Sequence, residues 1–125
     1  MRELKLKKCL KCGALVRVIE DCNCKDCGIK CCGNAMNEVE ANSVDAAFEK
    51  HVPTYERKDG KLIVTVNHVM ESEHYIEWLC LLTKNKEEYR YFDSSDSYTC
   101  EFEDTLDGVL YSYCNKHGLW SVKIK

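Results

Sequence analysis

Seven of the ten cysteines of this chain lie between Cys9 and Cys32, and this crowding constrains the fold more than any other feature of the sequence. Several of the seven are too close together to pair easily as disulfides, which require a defined separation and torsion. Cysteines crowded in this way are typical ligands of a metal ion. The cluster therefore predicts an N-terminal metal site in preference to a set of disulfides.

The overall composition argues against several classes of protein. The chain has 125 residues and a net charge of −3, which is unlike the basic stripe of a nucleic-acid-binding domain. No apolar stretch approaches the roughly 20 residues of a membrane-spanning helix. The basic N-terminus lacks the apolar stretch of a signal peptide. We therefore expect a cytoplasmic protein that binds neither nucleic acid nor membrane.

The chain divides by chemistry near residue 36. Residues 1–36 contain no histidine, whereas residues 37–125 contain all four histidines and only three cysteines. The second region shows several short stretches of alternating apolar and polar residues, which is typical of strands. Asp59-Gly60 and Asp107-Gly108 are hairpin turn signals. We predict an all-β protein, with a small Cys-rich metal-binding domain at 1–36 and an immunoglobulin-like antiparallel β-sandwich at 37–125.

Alternation within the predicted strands places two histidines at strand ends. In the stretch KLIVTVNH, His68 continues the apolar face of the strand. In the stretch HYIEWLCLL, strict alternation puts five residues on one face: His74, Ile76, Trp78, Cys80 and Leu82. Both imidazoles are therefore expected to reach one point at an edge of the sandwich.

The four histidines and one cysteine make a distinctive set of donor groups. Cys114 and His117 have the Cys-x-x-His spacing of a metal-binding pair. Together with His51, His68 and His74 they exceed the four ligands of a structural zinc site. Five ligands leave one position open on a six-coordinate metal, which suits iron and redox chemistry. Because a thiolate donates electron density to the metal, the open position points to a small oxygen species as substrate.

Three segments resemble the signature segments of superoxide reductases, the neelaredoxin and desulfoferrodoxin family. They are EKHVP (49–53), HVMESEHYIEW (68–78) and CNKHGLW (114–120). The resemblance covers residues 37–125 and implies the one-electron reduction of superoxide to hydrogen peroxide. It also implies an iron ion with four equatorial imidazoles and one axial thiolate, here His51, His68, His74, His117 and Cys114.

The resemblance implies further roles beside the iron. Glu49 matches a glutamate that occupies the sixth position in the ferric state, and Lys50 matches a lysine that attracts the anion and helps to protonate it. A cation at the mouth of a site raises the encounter rate of an anionic substrate. The family also implies a rubredoxin-like electron donor and assembly as a homodimer or homotetramer.

The cysteine cluster resembles the desulforedoxin-like module that precedes many superoxide reductases. The matching segments, CLKCG (9–13) and KCCGNAM (30–36), imply an iron ion with four ligands: Cys9, Cys12, Cys31 and Cys32. The intervening DCNCKDCG (21–28) departs from that pattern by adding Cys22, Cys24 and Cys27. By spacing alone, Cys24 and Cys27 with the first pair would make a zinc-ribbon or rubredoxin-like site, and an iron–sulfur cluster is a further alternative.

Two other functions compete with the enzyme: an electron carrier that works through its N-terminal centre, and a zinc-stabilised binding module. A carrier has no use for an open coordination position, and a zinc module needs only four ligands. The fifth ligand therefore favours the enzyme. We expect Cys80 and Cys100 to be small strand residues without function. We expect Trp78 and Trp120 to be core residues near the histidines and not an electron relay.

Overall fold

The computed structural model of the chain describes residues 2–24, 28–43, 51–69, 71–93 and 97–125. All regular secondary structure in these residues is β-strand, as the sequence predicts. The chain forms two compact units, Glu3–Glu40 and Ala41–Lys125 with Arg2. Within the described ranges, no helix has the length and apolar character needed to cross a membrane.

The N-terminal unit consists of short strands around few buried apolar side chains. Its strands are β1 (Leu6–Lys8), β2 (Leu15–Arg17), β3 (Lys30–Cys31), β4 (Asn34–Ala35) and β5 (Asn37–Val39). β1 is the central strand of an antiparallel sheet with β2 and β5, while β3 and β4 form a separate hairpin. A unit of this size buries too little apolar surface to be stable by packing alone, and such units usually need a metal or a disulfide.

The second unit is a sandwich of two antiparallel sheets. Its strands are β6 (Thr54–Lys58), β7 (Lys61–Thr65), β8 (Ile76–Leu82), β9 (Glu87–Tyr91), β10 (Thr99–Glu103), β11 (Gly108–Cys114) and β12 (Gly118–Ile124). One sheet has the order β10-β7-β6 and the other β12-β11-β8-β9. Buried side chains of both sheets form one core cluster, which includes Leu62, Val64 and Phe102 from the first and Leu79 and Leu110 from the second.

The two predicted hairpin turns have different outcomes. Asp59 and Gly60 connect β6 to β7 as a two-residue turn, with φ of 52° and 77°, which matches a type I′ hairpin. The prediction for Asp107-Gly108 is wrong, because β10 and β11 belong to different sheets and this segment connects them. A Cβ on Gly108 would lie 3.0 Å from the Leu82 carbonyl oxygen. Close packing of neighbouring backbones, and not a tight turn, therefore requires the glycine.

A bulge in β8 overturns the strict alternation that we predicted there. Tyr113 pairs with Trp78, but the next residue, Cys114, pairs with Ile76. Glu77 is therefore the extra residue of a β-bulge, which shifts the side chains on either side of it to opposite faces. Ile76 and Cys114 face the sandwich core, whereas Trp78 stacks on Tyr113 outside that cluster.

Candidate metal centres

One end of the sandwich brings together the predicted histidines and Cys114. His117 Nδ1 lies 3.1 Å from His51 Nε2 and 3.2 Å from His74 Nε2. The Cys114 sulfur lies 3.6 Å from His68 Nε2 and 3.9 Å from His117 Nδ1. Four ring nitrogens and one sulfur thus converge on a single small volume.

Different elements supply the five donor groups. Cys114 is the last residue of β11, and His117 lies in the tight turn to β12. Because His117 follows Cys114 by only three residues, it presents Nδ1, the ring nitrogen nearest its backbone. His68 lies beyond the end of β7, and His74 lies in an isolated bridge with Glu71.

His51 and Cys114 lie on the buried side of this centre. Both residues are buried, whereas His68, His74 and His117 are partly exposed. The Trp120 ring stacks on the His51 ring with centroids 4.8 Å apart. The Ser112 hydroxyl donates a hydrogen bond to the His51 carbonyl. Trp120 is thus a core residue beside the histidines, as predicted, and the more accessible side of the centre is lined by imidazoles.

Two polar residues that sequence reasoning missed hold the loops of this centre. The Tyr98 hydroxyl donates to the Val69 carbonyl at 2.8 Å and accepts from the Ile76 N–H at 3.1 Å. Asn115 accepts from the Tyr75 N–H and donates to the Glu73 carbonyl, both at 2.9 Å. An asparagine between Cys114 and His117 is a turn residue whose amide often bonds nearby backbone, and this was the available signal. Tyr98 carried none.

The local environment keeps two of the imidazoles in the neutral form that binds metals. Burial lowers the pKa of His68, and the nearby His51, His74 and His117 lower it further. Burial also lowers the pKa of His117, with His51 and His74 acting in the same direction. Neutral imidazole nitrogens are the commonest protein ligands of transition metals.

The donor atoms fit a metal ion better than they fit one another. The proton on a single ring nitrogen cannot satisfy both the His51 and the His74 contacts of His117 Nδ1. Two ligands at right angles, each about 2.1 Å from a metal, are separated by about 3 Å, close to the observed 3.1 Å and 3.2 Å. His68 Nδ1 lies 2.7 Å from the Val69 carbonyl, which fixes the proton there and leaves Nε2 for the metal.

A second cluster joins four cysteines of the N-terminal unit: Cys9, Cys12, Cys31 and Cys32. The Cys31 sulfur lies 3.6 Å from that of Cys12 and 3.9 Å from that of Cys32. Sulfurs at the corners of a tetrahedron with metal bonds of about 2.3 Å are about 3.8 Å apart. Of the sets that the sequence left open, the structure brings together the desulforedoxin-like one.

Local backbone geometry prepares these cysteines for a cation. Cys32 has φ of 53° and Gly33 φ of 80°, which makes the tight turn between β3 and β4 and brings two adjacent thiols to one site. The Cys12 N–H, 3.5 Å from the Cys9 sulfur, lowers the pKa of Cys9 to about 6. Interaction with Cys12, then with Cys9 and Cys32, raises the pKa of Cys31 to about 12. A bound cation would favour the thiolate form of these cysteines.

The remaining candidate residues are placed as follows. Cys22 is a free, exposed cysteine, and Cys24 is in a disulfide bond and offers no thiolate. Cys27, Glu49 and Lys50 lie outside the described residues. Among the strand cysteines, Cys80 is buried, and burial raises the pKa of Cys100 to about 11. Neither strand cysteine belongs to either cluster of donors.

Fold and donor groups together define an all-β protein with one histidine–cysteine metal site and one four-cysteine site. A sequence profile described as desulfoferrodoxin matches residues 43–123. A desulfoferrodoxin of Syntrophotalea carbinolica is 37% identical over 124 residues, with 95% of each chain covered. A desulfoferrodoxin homolog of Archaeoglobus fulgidus is 35% identical over 121 residues, with 94% of each chain covered. This chain belongs to the desulfoferrodoxin family.

A solved structure supports the same assignment. The superoxide reductase from Treponema pallidum superposes with a TM-score of 0.71 at 30% sequence identity. The match covers 97% of this chain and 99% of that one. The similarity therefore extends over both units of the chain.

Proposed function

We propose that this protein is a superoxide reductase, which reduces superoxide to hydrogen peroxide by one electron at a non-haem iron. The observation that carries this proposal is the convergence of four imidazole nitrogens and one buried cysteine sulfur on a single point. Membership of the desulfoferrodoxin family and the similarity to the Treponema pallidum superoxide reductase support it. Five donors suit a six-coordinate iron with one position left for substrate.

Iron in this site would supply the electron and the position at which the oxygen species binds. His51, His68, His74, His117 and Cys114 would hold it. The Val69 carbonyl orients His68, and Asn115 fixes the backbone on both sides of His74. Burial of Cys114 keeps water away from the thiolate. The partly exposed imidazoles leave the opposite side open to a small anion.

Glu49 and Lys50 are proposed to act on the substrate side. Two features of the sequence support these roles: both residues directly precede His51, and both match the family motif. Lys50 would attract superoxide and order nearby water that delivers the protons. Glu49 would occupy the open position when no substrate is present. Lys50→Ala should then slow the bimolecular reaction and weaken its salt dependence, whereas Lys58→Ala, in the β6–β7 hairpin, should change neither.

The second centre is proposed to bind iron through Cys9, Cys12, Cys31 and Cys32. The four-sulfur arrangement supports a single tetrahedral ion, which both iron and zinc satisfy. We further propose a cytoplasmic protein that receives electrons from a rubredoxin-like donor and forms a homodimer or homotetramer. These last proposals rest on the family resemblance.

Metal analysis with a visible spectrum and pulse-radiolysis kinetics tests the function. The oxidised wild-type protein should show a broad thiolate-to-iron band in the red region and react rapidly with superoxide. Cys114→Ser should lose that band and most of the activity, while the matched Cys100→Ser should keep both. A wild-type protein that binds only zinc and stays colourless after iron reconstitution is not a superoxide reductase.

A further inference from the structure

Four aromatic side chains form a continuous series across the second sheet of the sandwich. Tyr113 of β11 stacks on Trp78 of β8, with ring centroids 5.3 Å apart and planes 8° from parallel. Trp78 meets Tyr89 of β9 edge to face at 5.5 Å. Tyr89 stacks on Tyr91 at 6.2 Å. Each ring is thus in contact range of the next, as in favourable aromatic pairs.

The two ends of this series lie in very different environments. Tyr113 is 3% exposed and directly precedes Cys114, the sulfur donor of the histidine–cysteine centre. Tyr91 is 74% exposed. The bulge at Glu77 matters here, because it keeps Trp78 paired with Tyr113 while Ile76 pairs with Cys114. The series therefore runs from the backbone of the thiolate donor to the protein surface.

The chemistry of these side chains suits the movement of single electrons. Tyrosine and tryptophan are oxidised by one electron more easily than other aromatic side chains, and an oxidised tyrosine must release its phenolic proton. The Tyr89 hydroxyl lies 3.2 Å from Glu87 Oε1, which is a ready acceptor for that proton. Burial raises the pKa of Tyr89, so the resting side chain is the neutral phenol.

We propose that Tyr113, Trp78, Tyr89 and Tyr91 form a path that carries one electron from the surface at Tyr91 to the histidine–cysteine centre when hydrogen peroxide attacks it. This inference rests on the proposed function, since hydrogen peroxide is the product of that reaction. The path makes Tyr91 a second redox site, at which small one-electron reductants such as thiols donate an electron from solution. Electron transfer along this path protects the Cys114 thiolate from oxidation, because Cys114 is the oxidisable donor of the centre that hydrogen peroxide attacks.

The electrons and protons of this step balance. Cleavage of the O–O bond of hydrogen peroxide to two water molecules consumes two electrons and two protons. Ferrous iron held by the five donor residues would supply one electron, and Tyr91 would supply the other. Tyr91 also releases its phenolic proton, and the second proton comes from water. A thiol then returns one electron and one proton to the Tyr91 radical and becomes a thiyl radical.

The test adds hydrogen peroxide anaerobically to the ferrous full-length protein in the presence of a nitroso spin trap. Peptide mass spectrometry then locates the adducts and measures the oxidation of Cys114. We expect an adduct at Tyr91 in the wild type, and its loss in zinc-loaded protein treated in the same way. Trp78→Phe should lose the Tyr91 adduct and raise Cys114 oxidation several-fold. Tyr55→Phe, on the other sheet, should behave as the wild type.

Tyr91→Phe keeps the test decisive if Trp78→Phe does not fold, because Tyr91 is a surface residue. It should increase Cys114 oxidation several-fold without changing the rate of superoxide reduction. An absent Tyr91 adduct in the wild type, or an undiminished one in folded Trp78→Phe, overturns the path. Superoxide reduction is measured on the same samples, and an inactive protein would refute the proposed function. The path is tested separately, because hydrogen peroxide is added directly and does not depend on that activity.

Discussion

The Val69 carbonyl accepts a hydrogen bond from the Tyr98 hydroxyl at 2.8 Å and also lies 2.7 Å from His68 Nδ1. A carbonyl oxygen has two lone pairs and can serve both groups. Tyr98 thereby fixes the backbone group that in turn fixes the orientation of His68. Its ring also packs edge to face against that of His68, at a centroid distance of 5.9 Å.

Tyr98→Phe should weaken both the fold and the metal site. Loss of the hydroxyl leaves the buried Ile76 N–H without this acceptor, which should lower the free energy of unfolding by about 1–3 kcal/mol. Loss of an outer partner of a metal ligand typically reduces metal affinity by about 10–100-fold. Urea unfolding and competition with a chelator measure the two effects. In Tyr55→Phe, whose hydroxyl accepts only from the exposed Lys125 N–H among the bonds described, both should change little. Wild-type metal affinity in Tyr98→Phe would contradict this role.

Asn115→Ala should loosen His74 specifically. The Asn115 side chain bonds the backbone of Glu73 and Tyr75, the two neighbours of His74. Without these bonds, the loop that carries His74 is held less firmly against the turn that carries Cys114. We expect faster loss of iron to a chelator, by roughly tenfold or more. Asn85→Ala, in the exposed turn between β8 and β9, is the matched control, and equal iron loss from the two variants would refute the prediction.

The sequence was sufficient for the parts of this protein that depend on local pattern. Asp59-Gly60 is a two-residue turn whose residues have the positive φ of a type I′ hairpin, and Cys114-x-x-His117 is a short metal-binding turn. The assembly of the distant His51, His68 and His74 with this pair followed from family motifs. Strand alternation alone placed His68 and His74 only at strand ends.

Other features depend on tertiary structure and left no local signal. The bulge at Glu77 arises where β8 meets β11, so no alternation pattern within β8 reveals it. Asp107-Gly108 has the sequence of a hairpin turn, but β10 and β11 lie in different sheets, so this segment connects the two sheets. The four-cysteine set is different, because the segment KCCGNAM implied it by resemblance although spacing along the chain is equally compatible with Cys24 and Cys27. The turn at Cys32 and Gly33 brings that set together.

Acid should destabilise the metal-free protein through two partly buried histidines, His68 and His117. In the unfolded chain a histidine binds a proton near pH 6.5, whereas burial lowers the pKa of His68 and His117 in the folded protein. Below pH 6.5 the unfolded state therefore binds more protons, and the free energy of unfolding must fall as the pH falls. Urea unfolding from about pH 8 to about pH 5 measures the slope. His68→Gln should make it shallower, and an unchanged slope would show that His68 does not contribute.

Cys32→Ser should remove the metal of the N-terminal unit and leave the histidine–cysteine centre loaded. Cys32 is one of four sulfurs held within 4.8 Å of one another, and a serine hydroxyl is a poor replacement for a thiolate on such an ion. Metal content should fall from two ions per chain to one. The red-region absorption from Cys114 and the reaction with superoxide should persist. Cys22→Ser is the matched control, since Cys22 is free and exposed and lies outside the cluster, and it should keep both ions. Loss of one ion from Cys22→Ser would show that the ligand set is wrong. Loss of both ions from Cys32→Ser would show that the two centres do not bind metal independently.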